Sequence, residues 1–322
     1  MRILSQALIV AFFATLVLAG ANAQSWPDKP VRMIVLSGPG GSPDVAARAI
    51  ANELTRSLGK QFIIENRVSA GGIVGLSALK SSAPDGYSFV LGMASAFVTS
   101  PKLTKDMPYD VDKDFVHVAF VGRTPIVVAV RKDSPLKTFG DLVKAAREAK
   151  EPLAIATTPI NSLPHLLTVF TAEKANAKLL AIPFSSTPQG IAAVLGGEVV
   201  AMVDGAPSFE GMVRSGDLRL LASFSDKRLP TNPALPLVAE ETAGVAASGW
   251  FGLVARTGIQ PEVIERFRSA VNAAVSTPEV EAKLASLVIF PEPMSGPGYA
   301  EFLEREKSFW AAAIDAAGAK PE

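Results

Sequence analysis

Gly40, Gly41 and Ser42 follow an apolar run at 31–36 and stand directly before Pro43, whose fixed φ suits the first turn of a helix. A strand–loop–helix unit of this kind leaves backbone N–H groups free at a helix N-terminus. Such an end carries roughly half a positive charge and holds anions well. A second glycine turn, Ala70-Gly71-Gly72, precedes another helical pattern, and Gly92-Met93-Ala94-Ser95 follows the apolar run at 87–91. Three such loops at the ends of neighbouring strands can cradle a carboxylate without Lys or Arg. The same glycines also serve plain tight turns, and residue type alone leaves both uses open.

Enzymatic chemistry has few candidates. The chain has no cysteine and only two histidines, His117 and His165. No thiol nucleophile and no His/Cys metal cluster is available, so catalytic and metal-binding residues are both expected to be none. No Gly-x-Ser-x-Gly elbow accompanies either histidine. His117 lies in an apolar stretch, 115–121, and reads as a satisfied structural histidine; His165 stands at a helix start, where it can face a cleft. Glu240-Glu241 reads as solvated surface. The sharpest enzymatic alternative is a dinucleotide site at Gly38-Pro39-Gly40-Gly41-Ser42, with Glu65 as the ribose-binding acid at the end of the next strand. Against it, Pro43 occupies the place of the third glycine. No cofactor is expected on the anion-receptor reading.

The elements that must position these loops follow from apolar periodicity. Strands are expected near 31–36, 61–65, 87–92, 126–131, 153–157, 178–183, 198–203, 218–224 and 250–255, with helical patterns between them. Ala47, Ile50, Ala51, Leu54 and Leu58 form one apolar helix stripe. This alternation predicts an α/β class with mostly parallel sheets. From Gln260 onward the pattern is helical, at 261–276, 278–286 and about 298–316. Ser42-Pro43, Thr187-Pro188 and Thr277-Pro278 each read as a hydroxyl N-cap before a proline, and Asn161-Ser162 close before Pro164 reads similarly. In open α/β sheets ligands gather at the carboxyl ends of strands, so the caps that follow strands are the interesting ones.

Residues 1–23 read as an export leader: Arg2, an apolar core from Ala7 to Leu18, and Ala21-Asn22-Ala23 as a cleavage site after Ala23. An exported chain of this size without disulfides fits the bacterial periplasm. Basic and acidic residues number 31 each, and the leader holds one of them, Arg2, so the mature chain is near neutral. That balance gives no sign of a nucleic-acid partner or a membrane surface. The chain is long enough for two domains.

Taken together, the motifs resemble those of the periplasmic substrate-binding proteins of tripartite tricarboxylate transporters, the Bug receptors. The residues that carry the resemblance are Trp26-Pro-Asp-Lys-Pro30, Gly40-Gly-Ser-Pro-Asp44, Glu65-Asn-Arg67 with Ala70-Gly-Gly72, and Pro84-Asp-Gly-Tyr87. Pro108-Tyr-Asp110 with Lys113-Asp-Phe115, Leu195-Gly-Gly197 with Asp204, and Trp250-Phe-Gly-Leu253 complete the set. The resemblance implies a two-domain periplasmic-binding-protein (flytrap) fold, each domain a mostly parallel sheet flanked by helices, with two interdomain crossings. The apolar stretches at 121–125 and 248–253 fit the crossings, which gives 24–122 plus 249–322 as domain 1 and 123–248 as domain 2. It implies a monomeric receptor for a small organic carboxylate, a dicarboxylate or an aromatic acid, that serves a membrane permease. A ligand sensor for a signalling partner would have the same sequence.

Carried over by position, the ligand-binding set is Ser37, Gly40, Gly41, Ser42, Gly71, Gly72, Ala94 and Ser95 on one side. On the other it is Thr157, Thr158, Asn161, Ser162, Ser185, Ser186, Thr187 and Asp204. Asp204 at a strand end can order a water or take an ammonium group, or it can cap a neighbouring helix. The sequence departs from the family's pattern at three places. Ser37 stands where an aromatic residue is usual, and Thr157-Thr158-Pro159-Ile160 where a glycine-rich turn is usual. Phe184-Ser185-Ser186 replaces Tyr-(Lys/Arg)-Gly. Arg123 is either a replacement cation or a hinge ion pair.

Overall fold

The computed structural model describes residues 26–321, and the expected leader lies outside them. Two sheets share one long strand. β1 (Val31–Val35), β2 (Phe62–Asn66) and β3 (Ser88–Met93) run parallel, β1 in the middle. β9 (Ser248–Arg256) lies antiparallel to β3. β4 (Phe115–Arg131) lies antiparallel to β9, and the short β10 (Phe290–Pro291) closes that edge. The far half of β4 enters the second sheet. There β7 (Ala201–Gly205) lies antiparallel to it, and β5 (Leu153–Thr157) pairs parallel with both β7 and β6 (Leu179–Pro183). β8 (Leu218–Ser223) pairs β4 on its other side. The α/β class, the two sheets and the two crossing strands are those expected.

Strand polarity decides where the loops go. β4 runs from the first sheet into the second. β1, β2 and β3 run the same way, while β5, β6 and β7 run back toward the first sheet. The carboxyl ends of both parallel sets therefore face each other across the shared strands. The last residue of β3, Met93, is level with Phe251, which pairs Gly122. The last residue of β7, Gly205, pairs Ile126. The two sets end four residues apart on β4, about 13 Å at strand rise.

Buried aromatics pack beneath these crossing strands. Phe97 stacks on Trp250 at 5.7 Å, and Phe302 meets Phe120 edge-on at 4.9 Å and Trp250 at 5.5 Å. One oxygen of the buried Glu306, in helix Gly296–Ala316, accepts both Trp250 Nε1 (2.7 Å) and Trp310 Nε1 (3.0 Å). That helix also reaches the second lobe, where Phe309 meets Phe170 of helix Leu163–Lys174 at 5.3 Å. No local sequence pattern signals this brace.

Two expectations need correcting. The hydroxyl caps at Ser42, Thr187 and Thr277 are not made. The N-caps of the first two helices are Gly41 and Ser186, so Ser42 and Thr187 are already helical. Thr277 does occupy a cap position, but its hydroxyl turns back to Ala274 O at 2.9 Å. Only Ser162 caps as read, accepting from His165 N at 3.3 Å. His117 is structural but not satisfied. Its ring lies edge-on to Phe97 and Tyr299, both nitrogens are buried without a partner, and burial lowers its pKa to about 4.

Replacing Glu306 by Leu should cost roughly 2–4 kcal/mol, because two buried indole N–H groups lose their acceptor. Glu306→Gln keeps an acceptor and should cost under about 1 kcal/mol. Urea unfolding of the two variants checks this.

Candidate functional site

The facing strand ends carry the residues singled out in the sequence. In the first lobe the loop after β1 leads into helix Ser42–Leu58. Val45 is the first residue of that helix whose N–H finds a helical-type acceptor, Gly41 O at 3.0 Å. Pro43 has no N–H to give, and the Ser42 and Asp44 amides ahead of Val45 have no acceptor among the described residues. The helix end is open for an anion.

One carboxylate builds this jaw. Asp44 is buried, and its Oδ2 accepts Gly40 N (2.9 Å) and Arg48 Nε (3.0 Å). Its Oδ1 accepts Asn66 Nδ2 at 2.8 Å, and the same amide donates to Ser37 O at 3.0 Å. Asp44 thus ties the loop after β1 to the end of β2. The Arg48 guanidinium, with help from Gly40 and Asn66, outweighs desolvation and holds the carboxyl at about 2. In the sequence Asp44 and Asn66 stand out only as parts of motifs. Their signal was an acidic residue in the first helical turn and a polar residue ending a strand.

The second glycine turn is dictated by space. Gly71 and Gly72 have φ of 61° and 74°, in the left-handed region. A Cβ on Gly71 would stand 2.7 Å from Ser100 Oγ, and one on Gly72 2.6 Å from Leu36 Cδ1. Gly72 is buried and its N–H donates to Ser69 O. Ala94 is buried as well, while Ser95 is partly exposed. The Ser37 hydroxyl is buried and unpaired beside Gly41.

In the second lobe the loops after β5, β6 and β7 meet. Thr158 and Ser162 share a hydrogen bond at 3.0 Å, and Phe184 N donates to Thr157 O at 2.9 Å. The Thr157 side chain is fully buried and its hydroxyl reaches Ile182 O at 3.5 Å, so it supports the loop from beneath. The left-handed turn here falls on Asn161 (φ 64°), which explains how the loop dispenses with glycine. Ser185 Oγ bonds Gln189 Oε1 at 2.6 Å, and Ser186 is the N-cap of helix Thr187–Gly196.

Asp204 is 8% exposed and accepts Thr187 Oγ1 and Gly205 N, each at 2.7 Å. Its carboxylate thus holds a hydroxyl in the first turn of helix Thr187–Gly196, whose N-cap is Ser186. Burial raises its pKa, opposed first by the Thr187 hydroxyl. Arg123 is a hinge ion pair: it bonds Glu292 beside β10, lies 3.7 Å from Asp226, and has its guanidinium 4.8 Å from the centre of the Phe302 ring. His165 Nδ1 is buried without a partner, and burial lowers its pKa. Glu65, the candidate ribose acid, is engaged by Arg32 at 3.4 Å and Arg67 at 2.5 Å. Other motif residues hold the end of the first lobe remote from the gap: Trp26 Nε1 donates to Gly86 O at 2.9 Å, and Lys29 pairs Asp85 at 3.2 Å.

Two lobes joined by antiparallel crossing strands, with strand ends opposed across a narrow gap, define the two-domain binding-protein class. Residues 46–319 match the tripartite tricarboxylate transporter family receptor. BugT of Bordetella pertussis is 32% identical over 317 residues, covering 98% of this chain and 97% of that protein. The R. palustris protein Rpa4515, solved with adipate, superposes with a TM-score of 0.77 at 27% identity, covering 92% of this chain and 100% of its own. A solute-binding protein of this type from Polaromonas, at 23% identity, has the same fold with a TM-score of 0.81, over 90% of this chain and 99% of its own. The chain belongs to the tripartite tricarboxylate transporter receptor family, the Bug receptors.

Asp44→Ala should cost roughly 2–3 kcal/mol at pH 7, since a buried charge-assisted network is lost. A carboxyl held at about 2 instead of its ordinary 3.8 contributes roughly 2 kcal/mol. The folded-state value is the lower one, so that contribution is present above about pH 4 and is lost as pH falls toward 2. Urea titrations of the protein and Asp44→Asn should therefore converge over that window.

Proposed function

We propose that this protein is a periplasmic receptor that holds a small organic carboxylate between its lobes, closes on it, and delivers it to a membrane permease. The observation that carries this reading is the opposition of two sets of strand ends about 13 Å apart. One of them ends in an open helix N-terminus. The solved relative with adipate supports a carboxylate as the ligand class. The export leader, cleaved after Ala23, supports the periplasm. The lobes are taken as 24–122 plus 249–322 and 123–248, with the last helix bracing both, and the receptor works as a monomer and catalyses no reaction.

On this reading Ser37, Gly40, Gly41, Ser42, Gly71 and Ser95 face the ligand from the first lobe. Thr158, Asn161, Ser162, Ser185, Ser186 and Thr187 face it from the second. Gly72, Ala94 and Thr157 shape the loops from beneath, and Asp204 orders Thr187 rather than holding a cation. Binding rests on N–H groups, hydroxyls and a helix dipole, each charge-assisted bond contributing about 1.5–3 kcal/mol. A ligand that touches both lobes favours the closed state by its extra contacts there.

A thermal-shift screen against organic acids, amino acids and nicotinamide cofactors tests the reading. A carboxylate at about a hundred times its Kd should add roughly 2.7 kcal/mol of stability. A melt raised by NAD and by no carboxylate would refute the receptor. Ser42→Trp should abolish carboxylate binding while leaving the melting temperature of the free protein within about 3 °C, because Ser42 is a partly exposed residue at the helix start.

A further inference from the structure

We infer that the ligand is a monocarboxylate with an apolar body, and that Val68, Ile160 and Asp204 select it over dicarboxylates; this rests on the receptor reading above. Three of the exposed large apolar side chains stand at the facing strand ends. Val68, after β2, is 66% exposed; Ile160, after β5, is 62% exposed; Val74 opens helix Ile73–Lys80 and is 50% exposed. Val68 belongs to the first jaw's loop cluster, its Cγ2 lying 3.8 Å from the Cβ position of Gly38. Ile160 belongs to the second jaw. Apolar surface is thus offered from both lobes at the mouth of the gap.

The charges make the second half of the argument. The second lobe's strand-end loops, 157–162, 184–188 and 204–208, contain no Lys or Arg. Their one charged residue is Asp204, whose carboxylate already lies at the start of helix Thr187–Gly196 through Thr187 Oγ1. The neighbouring helix Leu163–Lys174 is already capped by Ser162. The one cation of the first lobe's loops, Arg67, pairs with Glu65. A ligand can therefore seat one carboxylate at the open end of helix Ser42–Leu58. A second carboxylate reaching the other lobe would meet no cation, one helix start capped by Ser162, and a second, uncapped helix start beside the resident carboxylate of Asp204. Desolvating an ionised group without a partner is unfavourable, whereas an aliphatic or aromatic body there meets Ile160.

Calorimetric titration with hexanoate and adipate, equal in length and differing by one carboxylate, tests this, with benzoate and terephthalate as the rigid pair. Each monocarboxylate should bind about tenfold or more tighter than its partner. Equal or tighter binding of the dicarboxylates overturns the inference and leaves the receptor reading standing. Binding by none of the four, nor by any acid in the wider screen, overturns both. Ile160 is exposed, so Ile160→Lys should fold normally; it should raise adipate affinity about tenfold and weaken hexanoate. An unchanged preference in that variant also overturns the inference.

Discussion

The ladder between β4 and β9 is the constraint on which this receptor depends. It runs from Phe115↔Arg256 to Pro125↔Ser248, with register shifts between His117 and Ala119 and between Phe120 and Gly122, and then β4 alone carries on into the second sheet. Because β9 is antiparallel to β3 and β7 is antiparallel to β4, the parallel strands of the two lobes are forced to point at each other. A loop after any of those strands must then open into the gap. The polarity of two strands, more than any one side chain, creates the site.

A hinge that works must be soft in one direction and firm in the others. The firmness comes from packing beneath the ladder: Trp250, Phe120, Phe97 and Phe302 interlock, and Glu306 holds two indoles from different elements. The Arg123–Glu292 pair, with Lys227 also on Glu292 at 2.9 Å, links the second lobe's loop after β8 to the edge strand of the first. These contacts lie at the waist, where they restrain twisting. Bending is left to the stretch of β4 between Gly122 and Ile126.

The two jaws are built on different principles. The first is organised by a buried carboxylate, Asp44, which accepts donors from three directions and leaves the helix end above it open. In the second, a buried carboxylate, Asp204, sits at the helix start itself. The same residue type thus braces a loop in one jaw and holds a helix-start hydroxyl in the other. The difference is position: inside the first turn in one case, at the end of the preceding strand in the other.

The sequence alone determined the class of the protein. Period-two and period-3.6 apolar patterns located eight of the nine expected strands to within about three residues, because these signals act over a few neighbouring residues. The ninth, expected at 126–131, is only the far end of β4, which starts at Phe115. The tertiary structure decided what each polar residue does. Ser42 and Thr187 read locally as caps, yet the helices begin one residue earlier, and Thr187 bonds Asp204, 17 residues away. Glu65 read as a ribose acid is engaged by Arg32 across a strand pair, and His117 read as satisfied has no partner in its aromatic pocket. The brace of Phe309 on Phe170 joins segments whose separate patterns carry no sign of it. Hydrogen-bond partners and burial depend on which distant segments meet, and only the folded chain specifies that.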